Sequence, residues 1–63
     1  MRNKLKIVRE KKDMTQKELV EKSGVSRTVI SQLENGTRSV VTSETMLKIS
    51  KALEEPLEDI FLP

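Results

Sequence analysis

Apolar side chains fall along this chain in five short groups, each spaced to share one face of a helix. Leu5 and Val8 mark a first helix over residues 4–11, with Asn3 as its cap and Ile7 off the stripe, exposed or at a partner contact. It ends at Lys12-Asp13, where Asp tolerates a left-handed turn. The second helix opens with Thr15-Gln16-Lys17-Glu18, a capping box in which the Thr hydroxyl and the Glu carboxylate each accept from the other residue's amide. Met14 and Leu19 form a hydrophobic staple around it. Glu18–Lys22 and Lys17–Glu21 are spaced as i, i+4 pairs. Ser23-Gly24 ends this helix, glycine supplying the positive φ of an abrupt reversal and expected where a side chain would obstruct the turn.

Ser26 caps a third helix that buries Val29, Ile30 and Leu33. Arg27, Thr28, Ser31 and Asn35 lie opposite, with Gln32 and Glu34 at the flanks, and Asn35-Gly36 closes the helix. Residues 37–41 read as a loop. A fourth helix, capped by Thr42 or Ser43, runs to about Leu53 with Met46, Ile49 and Leu53 inward, Leu47 at the edge and Ser50 bonded back one turn. Glu54-Glu55-Pro56 breaks it. A last short helix from Pro56 carries Leu57, Ile60 and Phe61. The fold class is therefore all-α, and 63 residues make one domain over 1–63.

Such a chain buries only about 60% of the surface its unfolded form exposes, so the core is small. The absence of cysteine and histidine removes disulfides, thiolate or imidazole metal sites, and Ser–His or Cys–His catalysis. No nucleophile–base pair is visible, and an enzyme is not expected. No apolar run reaches the ~18 residues of a membrane span, and MRNKLKIVREKK lacks a signal-peptide core, so a cytoplasmic protein without membrane contact is expected. Neither cofactor nor small-molecule ligand is indicated.

The net charge of +2 decides little, but its placement is uneven. Arg2, Lys4, Lys6, Arg9, Lys11 and Lys12 crowd one end, and Glu54, Glu55, Glu58 and Asp59 the other. Phe61 is the single aromatic residue, whereas single-strand and RNA readers use several as stacking platforms. Double-stranded DNA is the better-matched nucleic-acid partner.

Residues 16–36, QKELVEKSGVSRTVISQLENG, have the plan of a helix-turn-helix, in which one helix crosses the DNA backbone and the next enters a major groove about 12 Å wide. TQKELVEKSGVSRTVISQLENG resembles the phage lambda repressor and Cro-like group, often called the XRE family. The resemblance extends from LKIVREKKDMTQKEL to SETMLKISKALEEPLEDIF and implies a compact five-helix lambda-repressor-like domain. It implies base reading by Arg27, Thr28, Ser31 and Gln32, and phosphate contacts from Gln16, Asn35, Thr37 and Arg38. It also implies a structural ion pair between Arg9 and Glu34. A homodimer contact through Leu57, Ile60, Phe61 and Leu62 would make 56–63 the dimerisation segment. So many apolar residues in the last seven positions exceed what one short helix buries alone, which supports that seam.

Val20 stands where the family uses alanine, and Asp13 and Glu54 stand where it often uses glycine. The loop 37–42 lacks the family's usual proline. Two functions follow: a sequence-specific duplex DNA binder, most simply a homodimeric repressor on a palindromic operator, or a small helical module that grips another protein. The second would be expected to carry apolar anchors on the third helix, where Arg, Thr, Ser, Gln and Asn stand.

Overall fold

Four of the helices begin where a side-chain oxygen meets a free backbone amide. In the computed structural model, which describes residues 3–38 and 40–61, the helices are α1 (Leu5–Lys11), α2 (Gln16–Ser23), α3 (Arg27–Asn35), α4 (Ser43–Leu53) and α5 (Leu57–Phe61). Thr15 Oγ1 accepts from the Glu18 amide at 3.1 Å, and the Glu18 carboxylate accepts from the Thr15 amide at 3.0 Å. These bonds from Thr15 hold the Glu18 carboxyl below the usual carboxylate range. Ser26 and Thr42 cap α3 and α4 in the same way, accepting from Val29 and Thr45 at 3.3 and 3.2 Å. Glu18–Lys22 and Lys17–Glu21 are not among the ion pairs of the described residues, which are Arg9–Glu34, Lys12–Glu55 and Glu44–Lys48.

The first helix starts one residue later than its pattern predicts, with Lys4 at the cap position. Asn3 still does the capping work from one residue further out. Its Oδ1 accepts from the Leu5 amide at 2.9 Å, while its Nδ2 donates to the Leu33 carbonyl at 2.9 Å. One side chain thus opens α1 and ties it to α3.

Left-handed residues end the turns. Gly24 and Gly36 both lie at φ 73°, and Asp13 and Glu54 adopt φ 53° and 56° without the freedom of glycine. At Gly24 the positive φ is found as expected, but the expected obstruction is not, because an added Cβ would meet nothing within 4 Å. Glycine is favoured there by its backbone conformation, not by crowding.

The core comprises Leu5, Leu19, Val25, Ile30, Leu33, Ile49, Leu53, Ile60 and Phe61. Helix α2 packs on α3 and α4, and α5 packs on α1 and α4. A backbone bond of 2.7 Å from the Lys4 amide to the Ile60 carbonyl fastens α5 to the start of α1. Ser50 is buried and donates to the Leu47 carbonyl at 3.0 Å, whereas Leu47 itself is exposed.

Two residues of the expected seam turn inward on the short α5. Ile60 is fully buried and Phe61 is 5% exposed, so both are consumed inside the domain. Two neighbouring helices cover them, which is how a five-residue helix can hide more apolar surface than its length suggests. Leu57 remains half-buried, and Leu62 lies outside the described residues, as does Arg2 of the basic run. Ile7 is exposed.

The left-handed Glu54 yields a stability prediction. Glu54→Gly relieves the backbone strain of an exposed side chain and should raise the unfolding free energy by about 0.5–1 kcal/mol. In a domain this small that is a melting-temperature rise of ~4 °C by circular dichroism. A fall would mean that the Glu54 side chain contributes more than its strained backbone costs.

Candidate nucleic-acid interface

The crossing of α2 and α3 is locked by a residue that the pattern marks only as a helix end. Ser23 is buried; its Oγ donates to the Leu19 carbonyl at 2.6 Å and accepts from the Val25 amide at 3.1 Å. This fixes the chain on both sides of Gly24, while Val25 seals the turn against the core. These contacts fix where α3 starts relative to α2.

With Ile30 and Leu33 turned inward, α3 shows its polar side to solvent. Arg27 and Thr28 are exposed, and Ser31 and Gln32 are half-buried. These four line one shallow groove together with Gln16 from the start of α2. The four residues expected to read bases therefore share a surface with one expected to touch phosphate. Asn35 and Thr37 are exposed beyond the C-terminal end of that surface.

Behind the groove stands an almost fully buried carboxylate. Glu34 has a side chain only 3% exposed and receives Arg9 through two bonds, Nε to Oε2 at 2.6 Å and Nη2 to Oε1 at 3.1 Å. Arg9 Nη1 also donates to the Met14 carbonyl at 2.6 Å, so one guanidinium joins α1, the α1–α2 turn and α3. The hydrogen bond to Glu34 raises the Arg9 pKa above its ordinary value, against the opposing effect of burial. Gln16 Nε2 donates to Glu34 Oε1 at 3.0 Å. The resemblance anticipates the Arg9–Glu34 pair; that Gln16 joins it has no signal in the spacing of residues 16 and 34.

Arg38 is also turned inward. Its Nη1 donates to Gln32 Oε1 at 2.8 Å, and its Nε is buried without a hydrogen-bond partner among the described residues. The backbone follows the same path: the Thr37 and Arg38 amides reach the Gln32 carbonyl at 3.0 and 3.4 Å. No group of His, Cys, Asp or Glu among the described residues could hold a metal ion, and no helix among them is long and apolar enough to cross a membrane.

A capped pair of helices with a tight glycine turn, a buried brace and a polar outer face on the second helix defines a helix-turn-helix domain. Residues 5–60 match the Helix-turn-helix family, and the chain belongs to it. The family is one of DNA-binding transcription regulators, a non-enzymatic class. The chain is 39% identical over 56 residues to the HTH-type transcriptional repressor RghR of Bacillus subtilis, covering 89% of this chain and 42% of that protein. It is also 39% identical over 62 residues to an uncharacterized HTH-type transcriptional regulator of Methanocaldococcus jannaschii, covering 98% of this chain and 92% of that protein. The chain thus spans under half of the first relative and nearly all of the second.

The buried brace generates a second prediction. Glu34→Ala leaves Arg9 beside an apolar gap and should cost about 3 kcal/mol in urea denaturation, far more than a surface ion pair. A loss below ~0.5 kcal/mol would place Arg9–Glu34 with ordinary surface pairs.

Proposed function

We propose that this protein is a sequence-specific, homodimeric transcriptional repressor that places α3 in the major groove of a palindromic DNA operator. The observation that carries this reading is the composition of one groove: Gln16, Arg27, Thr28, Ser31 and Gln32 meet there without an apolar anchor. Arg27 presents a guanidinium suited to bidentate contact with guanine O6 and N7. Thr28 and Ser31 supply hydroxyls that can donate or accept, and Gln32 supplies an amide. Gln16 spends one N–H on Glu34 and keeps the other for a phosphate oxygen. Asn35 and Thr37 are placed to hold the backbone at the far end of the reading helix. The name of the Bacillus relative favours repression. Such a regulator acts in the cytoplasm, where the operator lies.

Two copies would set their reading helices about 34 Å apart, one DNA turn. With Ile60 and Phe61 withdrawn into the core, the proposed seam rests on Leu57, the half-buried apolar residue of α5, and on Leu62. A protein-gripping module would need apolar anchors on the α3 groove, and the residues there do not favour it.

Selection of random duplex DNA by the purified protein at a stated salt concentration tests this function. A palindromic consensus is the expected result, and no enrichment would overturn it. On the selected operator, Arg27→Ala should cost roughly 1–3 kcal/mol and relax preference at one base pair. An equal loss on all sequences would exclude base reading by Arg27. Leu57→Asp should keep the helical signal and halve the solution mass, while an unchanged dimer mass would move the seam elsewhere.

A further inference from the structure

We propose that Arg38 decides which base edge Gln32 can read, by fixing the orientation of the Gln32 side-chain amide. The proposal rests on the reading of α3 as the helix that enters the groove, and it adds a residue that selects without touching a base.

The two ends of a glutamine amide have nearly the same shape and opposite hydrogen-bonding character, so a free glutamine at a base edge can present either. Gln32 is not free. A guanidinium has only donors, so the amide atom 2.8 Å from Arg38 Nη1 has to be the oxygen. The same short loop grips the main chain of that residue. Its carbonyl accepts from the Thr37 and Arg38 amides at 3.0 and 3.4 Å, and from the Thr37 hydroxyl at 3.4 Å. Residues 37 and 38 thus clasp both carbonyl oxygens of Gln32. The buried Nε of Arg38 places the root of the guanidinium inside the protein, not out in solvent where it would swing freely.

With its oxygen held by Arg38, Gln32 keeps its NH2 group for the groove that it lines with Arg27, Thr28 and Ser31. Two N–H donors take base acceptors, guanine O6 and N7 or thymine O4. Adenine is best read by a glutamine that turns both amide ends to the base, and here Arg38 already takes one lone pair of the oxygen and fixes its direction, while cytosine presents a donor that the NH2 cannot accept. The neighbouring guanidinium charge further disfavours the amino groups of both. Gln32 should therefore select guanine or thymine over adenine or cytosine by about tenfold at one base pair of each half-site.

The test compares random-duplex selections by the wild-type chain, Arg38→Met and Gln32→Glu at one salt concentration. The wild type should enrich guanine or thymine at one position per half-site. Arg38→Met should reduce discrimination at that position alone to within about twofold, admitting adenine. Gln32→Glu keeps a partner for Arg38 but presents only acceptors, so it should move the same position to cytosine or adenine, whether or not Arg38→Met folds. A wild-type consensus that Gln32→Glu leaves unchanged overturns the proposal. So does an Arg38→Met chain that binds every sequence more weakly with its preferences intact, which would make Arg38 a phosphate contact. A wild-type chain that enriches no sequence overturns instead the DNA reading beneath it.

Discussion

A single carboxylate in a nearly dry position constrains how the helices of this domain meet. Glu34 lies near the end of α3, and once withdrawn from water it needs partners for both oxygens. Arg9 supplies a two-pronged contact from α1, and Gln16 supplies an amide from the start of α2. The three helices are thereby held in one geometry, since sliding α1 or α3 strands a charge and sliding α2 takes a donor from the buried carboxylate. Apolar packing supplies the bulk of the stabilisation, but it is non-directional and would tolerate several registers. The ion pair with its glutamine selects one.

The polar face of α3 sits between two such anchors. At its N-terminal end, Ser23 and Val25 secure the turn that delivers α3, and the Ser26 cap starts the helix. At its C-terminal end, Glu34 and Asn3 tie the helix to α1, while residues 37 and 38 fold back onto Gln32. Positions 27, 28 and 31 remain able to adapt between these fixed points. A surface that must match hydrogen-bonding edges gains from such backing, because side chains ordered beforehand lose less entropy when they bind.

Much of this was legible in the order of residues. Thr15-x-x-Glu18, Ser26 and Thr42 are local caps, and they form as their sequences predict because each satisfies amides within the same turn. The left-handed turns at Asp13, Gly24, Gly36 and Glu54 fall where the pattern breaks. The resemblance to the lambda repressor and Cro-like group pointed to Arg9 and Glu34 although 25 positions separate them. The polar stripe of α3 was readable from helical periodicity alone, and its residues do share one groove.

Other features depend on elements that no local pattern joins. Ile60 and Phe61 are as apolar as a dimer seam requires, and only the cover provided by α1 and α4 makes them core. The partner of Gln16 and the clasp of Arg38 on Gln32 arise because a helix start and a loop arrive beside the same helix, a meeting set by packing angles. Periodicity and capping are short-range physics and can be read from neighbouring residues. Burial and hydrogen-bond orientation depend on which surfaces the folded chain brings together. Residues 16–36 alone thus announce a DNA-reading motif, while the side chains that brace and orient it are chosen by the tertiary fold.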